Sequence, residues 1–298
     1  MKLSMEVDSL TPLEEIKKMK SLVADINSIL KDSGITEIIS LSDITVTEKT
    51  VSDLVKPNAK LSDVITNFLW PSITSATVYH YTSKTAAESI LNTGFFRLNN
   101  IANRYTEGEI VTFCETHGLQ GYLEKDANDE PKYKHLIMPN TFYSSFTDVS
   151  LTKEQEEWFW SHFAVCDGVR LRIEITASNP NFRKMRYEQV EGQPISLLSN
   201  LINLIRKDYS REFILKGISR LCSFYLSGKD YGIENEYRAL YRVWEGFGPQ
   251  PKTEGSNSFI ELPLGVMSEC GYKLTITEVH SNKKPNMPTS YLFSKRST

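Results

Sequence analysis

Two carboxylates one residue apart, Glu234 and Glu236, are followed directly by Tyr237 and Arg238. On a strand, side chains two apart project to the same side. Read as a strand opening, the segment sets Glu234 beside Glu236, and repulsion between the two shifts their titration. Such a pair serves ion pairing, metal binding or proton transfer, and its plainest use is pairing with Arg238 or Lys229 at a strand end. His80-Tyr81-Thr82 offers an imidazole that can donate from one nitrogen while the other accepts, next to a phenol and a hydroxyl. Tyr143-Ser144-Ser145-Phe146 brings hydroxyls between two rings, and Tyr81 and Tyr143 have flat faces on which a base can stack. His117, His135, His162 and His280 lack metal-ligand spacing, so no metal is expected.

These residues need elements to hold them. Val78–Thr82 reads as a strand, Ser83 as the cap of a helix over 85–91, and Asn92-Thr93-Gly94 as its stop. Phe95–Leu98 returns as a strand. Residues 99–106 read as a loop carrying Asn103 and Tyr105, which can cover a ligand, and 107–117 as a helix. Residues 119–139 are polar and read as an excursion. Thr141–Phe146, 168–175, 236–243, 259–262 and 272–279 read as strands, with helices over 153–163 and within 193–226. Unequal helical inserts between strands point to an α+β domain rather than a doubly wound sheet. Neither a dinucleotide-binding glycine fingerprint nor a phosphate loop is present in the sequence.

Residues 1–72 read as a small helical N-terminal module ahead of a main domain over 73–298. Leu13, Ile16, Met19, Leu22, Val23, Ile26, Ile29 and Leu30 recur at helical spacing after Thr11-Pro12, and Asp32-Ser33-Gly34 stops them. The module is read either as packing for the main domain or as a docking surface for a regulatory partner. A net charge of −3 gives no general attraction to nucleic acid. Four scattered cysteines, Cys114, Cys166, Cys222 and Cys270, predict buried thiols in a reducing compartment. With no apolar leader and no run long enough to span a membrane, a cytoplasmic protein without membrane contact is expected.

In order, the motifs are His80-Tyr81-Thr82, Asn103 with Glu107, Ser144-Ser145-Phe146, Trp160 before Gly168, and Glu234-x-Glu236-Tyr237-Arg238. This order resembles the ADP-ribosyltransferase superfamily, closest to a bacterial family of uncharacterised domains with HYT, SSF and ExE-Tyr-Arg motifs. The resemblance covers roughly residues 77–280 and departs at Asn103-Arg104, where an Asn-Asp pair is often seen. It implies a split mixed sheet and NAD as a substrate. It also implies Glu236 and Glu234 as catalytic carboxylates, with His80, Tyr81, Thr82, Asn103, Tyr105, Tyr143, Ser145 and Arg238 around the nucleotide. Glu236 and His80 are then expected to meet across one cleft, from the same side of the sheet. The implied activity is ADP-ribosyl transfer to a protein or nucleic-acid acceptor, in a toxin or antiviral-defence setting with an antitoxin or regulatory protein on the N-terminal module. A non-catalytic NAD-binding module and an NAD glycohydrolase are the alternatives.

Overall fold

The computed structural model describes residues 12–54, 59–103, 107–164, 167–188, 192–227, 229–243 and 248–282. The chain enters on helix α1 (Pro12–Asp32), a short hairpin β1 (Ile44–Val46) and β2 (Thr50–Asp53), and helix α2 (Lys60–Leu69). The amphipathic spacing of α1 acts from its third turn onward. Leu22, Ile26 and Leu30 are buried, while Leu13 and Ile16 are exposed.

The main sheet comprises β3 (Ser75–Thr82), β4 (Phe95–Asn100), β5 (Thr141–Asp148), β6 (Val169–Ala177), and β7 (Phe182–Lys184). After two short strands, β8 (Arg186–Glu188) and β9 (Glu212–Ile214), and a third, β10 (Tyr225–Ser227), it continues with β11 (Glu236–Arg242), β12 (Lys252–Glu254), β13 (Asn257–Pro263) and β14 (Tyr272–Ser281). The order is β12-β13-β4-β5-β3-β6-β14, with β11 on the other edge of β5 and β7 beyond it. Its ladders are antiparallel, and the parallel ladders are β2–β9 and β8–β10, outside it. The fold class is α+β, as expected, but the main sheet is antiparallel rather than mixed.

Helices fill the connections: α3 (Lys84–Thr93), α4 (Glu107–Thr116), a single turn α5 (Tyr133–Leu136), α6 (Lys153–His162), α7 (Ser196–Asn203) and α8 (Ile218–Ser223). Ser83 caps α3 by accepting the Ala86 N–H, and Gly94 ends it at φ 73°, a conformation that suits glycine. Gly168 leads β6 for a steric reason, because a Cβ there would collide with the Ala164 backbone. The 119–139 stretch is more than a polar excursion. It buries Tyr122, Tyr133 and Ile137, and the Tyr122 hydroxyl donates to the Leu215 carbonyl.

The N-terminal segment does not stand apart. Its Leu22, Ile26, Val51 and Ile65 share one core with Leu198, Leu201, Phe213 and Leu221, and that core reaches Tyr143 and Leu240 on one face of the main sheet. β2 pairs with β9 through Thr50–Ser52, so the 1–72 boundary runs through a sheet. Arg183 on β7 is 0% exposed and donates to the Thr66 and Trp70 carbonyls at the end of α2 and to Asn67 Oδ1. The opposite sheet face buries Phe96, Leu98, Phe142, Phe146, Leu171 and Ile173 in a second core. Among the described residues no helix is long and apolar enough to cross a membrane.

Candidate functional site

β5 is the strand on which the site turns. Along one edge it pairs with β11 from Thr141–Arg242 to Thr147–Glu236. On its other edge β4 meets it at Asn99–Tyr143 and Asn100–Phe142, and β3 meets it at Val78–Asp148 and Tyr79–Thr147. Between those contacts, along Ser144–Phe146, the ladder is open. The opening forms part of a cleft of about 930 Å³ lined by residues of β3, α3, β4, α4, β5, α6 and β11. That volume is within the range of small-molecule sites, about 300–1,000 Å³.

The His80 imidazole occupies the opening. Its Nδ1 donates to the Ser145 carbonyl at 3.0 Å, replacing a missing strand partner, and a carbonyl can only accept, so the proton sits on Nδ1. The ring stands edge-on to Phe96, with centroids 5.0 Å apart, and leans on Phe146.

On the other face of the sheet lies a buried charge cluster. Arg238, 3% exposed, donates from Nε to Glu236 Oε1 at 2.7 Å and from Nη2 to Oε2 at 3.2 Å. The same guanidinium holds Glu109 of α4 through Nη1–Oε2 at 2.9 Å and Nη2–Oε1 at 3.1 Å, and donates to the Ser223 carbonyl at 2.8 Å. Its centre lies 4.6 Å from the Tyr143 ring centroid, a cation over an aromatic face. Burial alone disfavours the Arg238 charge, yet Glu109 and Glu236 hold its pKa well above the usual range. The Glu236 N–H donates to the Tyr187 hydroxyl at 3.0 Å, which sets the start of the strand.

Glu234 corrects the side-by-side reading of the carboxylates. It ends a 3₁₀ turn, Lys229–Glu234, and Asn235 then takes a left-handed backbone at φ 43° before the strand opens at Glu236. Thr147 Oγ1 donates to the Glu234 carbonyl at 2.7 Å and holds the turn against β5. Glu234 still reaches the cleft, half-buried, and its carboxylate makes no hydrogen bond or ion pair among the described residues. Burial, then the charges of Glu236 and Glu109, push its pKa up to about 7, against the pull of Arg238.

His80, Tyr81, Thr82, Tyr143, Ser145, Glu234, Glu236 and Arg238 all line this one cleft. His80 and Glu236 do not face each other from one side of the sheet. The imidazole lies among Phe96 and Phe146 of one core, whereas Glu236 and Arg238 project with Tyr143 toward the other, and the open ladder lets both reach the hollow. One face of Tyr81 is taken up by protein, because it stacks on Phe159 at 5.0 Å and 14°, and the ring also meets Trp160 edge-on. Arg238 has its donors committed to protein, so it orients carboxylates rather than a ligand. The Asn103 side chain and the whole of Tyr105 lie outside the described residues.

Sequence reasoning missed Glu109 and Arg97. Glu109 meets its partner 129 residues later in the chain, and neither spacing nor composition links them. Alternation along β4 does place Arg97 on the same side as Asn99, away from buried Phe96 and Leu98. Ser144 Oγ, buried in the cleft wall, has no hydrogen-bond partner among the described residues. No group of side chains able to hold a metal ion occurs among the described residues. Comparison with family models, curated proteins and solved structures found no match to this chain.

Proposed function

We propose that the chain transfers ADP-ribose from NAD to a macromolecular acceptor, a protein side chain or a nucleic-acid base, as a toxin or defence effector would. The carrying observation is convergence. Three segments far apart in sequence, which together resemble the ADP-ribosyltransferase motifs, line one cleft at a break in an antiparallel sheet.

The chemistry follows from the arrangement. The bond from the ribose anomeric carbon to nicotinamide breaks, nicotinamide leaves with the bonding pair, and positive charge develops on the sugar. Glu236, fixed by both Arg238 contacts, presents a carboxylate that stabilises this charge and accepts from a ribose hydroxyl. The acceptor forms the new bond at the anomeric carbon and gives its proton to Glu234, whose pKa near 7 suits a general base. His80, held in one tautomer by Ser145, and the hydroxyls of Thr82 and Ser145 are placed for the nucleotide.

Incubation of purified protein with labelled NAD, followed by separation of protein, DNA and RNA, tests the reading. Label in a macromolecular fraction, lost in Glu236→Gln, supports it. Free ADP-ribose alone means that Glu234 activates water and the protein is a glycohydrolase. Binding without turnover means that the Arg238 grip on Glu236 leaves a nucleotide-binding module. Absence of NAD binding rejects all three.

A further inference from the structure

The charged side chains lining the cleft are segregated. At one end Glu109, Glu234 and Glu236 surround Arg238, whose N–H groups are committed to Glu109, Glu236 and Ser223. A diphosphate placed there meets three carboxylates and a guanidinium that is already saturated. Arg97 on β4 lines the same cleft, across β5 from the strand that carries Glu236 and Arg238. Asn99 pairs with Tyr143, and Arg97, two residues along, projects from that same side of the sheet as Tyr143, Ser145, Glu236 and Arg238. The floor of the cleft on this side therefore runs from a carboxylate end to a cationic rim across the open ladder.

Arg97 is held in a way that an anion can replace. Its guanidinium carbon lies over the Phe259 ring, 3.8 Å from the centroid, which holds the cation against the sheet while its N–H groups hydrogen-bond. Nη1 donates to Glu254 Oε2 at 2.7 Å, and Nη2 is 3.7 Å from Glu261 Oε1. The Glu254 side chain is 68% exposed at the end of the edge strand β12, whereas Glu261 is largely covered and also paired with Lys252. An exposed ion pair of this kind is weak, and a phosphate offers guanidinium a stronger, two-pronged partner.

We propose that Arg97 binds the diphosphate of the nucleotide and that Glu254 competes with it for the same guanidinium edge. Resting on the NAD reading above, this specifies the orientation of the substrate: diphosphate on the β4 rim, nicotinamide ribose at the carboxylates. It also makes Glu254 a built-in competitor whose removal improves binding.

The test is a calorimetric titration of NAD, and of adenosine and nicotinamide riboside as phosphate-free probes, into wild type, Arg97→Ala, Arg97→Lys and Glu254→Gln. Both positions are on the surface, and circular dichroism checks that the variants fold. Arg97→Ala is expected to weaken NAD binding by about tenfold or more, with partial recovery in Arg97→Lys. Glu254→Gln is expected to tighten it by roughly threefold, the size of an exposed pair. Neither change should move the affinities for adenosine or nicotinamide riboside. Equal NAD affinity in wild type and Arg97→Ala overturns the assignment, as does weaker binding in Glu254→Gln. If wild type binds adenosine or nicotinamide riboside but Arg97→Ala loses them too, Arg97 is structural and the proposal fails. If wild type binds none of the ligands, the NAD reading itself fails.

Discussion

Arg238 and Glu109 face each other as two parallel forks, Nη1–Oε2 at 2.9 Å and Nη2–Oε1 at 3.1 Å, inside the protein. The contact clamps α4 to β11, and it leaves the Nε edge for Glu236. Arg238→Met removes the cation that pairs with Glu109 and Glu236 in a buried set of carboxylates. A loss of about 3–5 kcal/mol of stability is expected, because like charges are left buried without compensation. Urea denaturation checks it. Glu109→Gln keeps the shape and should cost less, about 1–2 kcal/mol.

Glu234 makes the site pH-dependent. Its folded pKa lies near 7 against an ordinary 4.5, with burial the first cause. Folding thus takes up a proton between those values, so this group's contribution to stability falls as pH rises through that window and is level above about 7. Glu234→Gln should flatten the stability curve there. In turnover the sign is opposite, since a base must be ionised: transfer is expected to rise about tenfold per pH unit below 7 and to plateau above it. A pH–rate profile that keeps this limb in Glu234→Gln would assign the limb to another group.

His80 fills the open ladder and lines the cleft. His80→Ala strands the Ser145 carbonyl and should weaken NAD binding about tenfold, the worth of one well-made hydrogen bond. His80→Asn, which can still donate to Ser145, should recover part of the loss in the same titration.

Removing residues 1–72 should not release a folded remainder. Leu198, Leu201 and Phe213 would lose the cover of Leu22, Ile26 and Val51, and Arg183 would lose the Thr66, Asn67 and Trp70 oxygens. Each large apolar side chain exposed costs about 1.5–3 kcal/mol, and several together exceed the stability of an ordinary domain. Proteolysis and near-ultraviolet circular dichroism of the truncated chain check this. A protease-resistant, cooperatively unfolding fragment would show that the core divides.

The longer elements around the site were legible because their signals are local. β-forming aromatic and hydroxyl residues marked 141–146, alternation marked 236–243, and Ser83 and Gly94 punctuate α3 as their chemistry requires. The three-residue strands β7 and β8 were not, since three residues hold too little alternation to read. Nor was the turn at Glu234, where a left-handed Asn235 interrupts a sequence that alternates like a strand.

The amino-acid order by itself determined which side chains with chemical capacity exist and on which strands most of them stand, because periodicity and capping act over a few residues. Only the tertiary structure decided that β3 and β4 leave β5 at opposite ends, opening the ladder that His80 fills. It alone brought Glu109 to Arg238 and set Arg97 in the lining of the same cleft, because partners more than a hundred residues apart meet through the packing of whole elements, which no local pattern encodes.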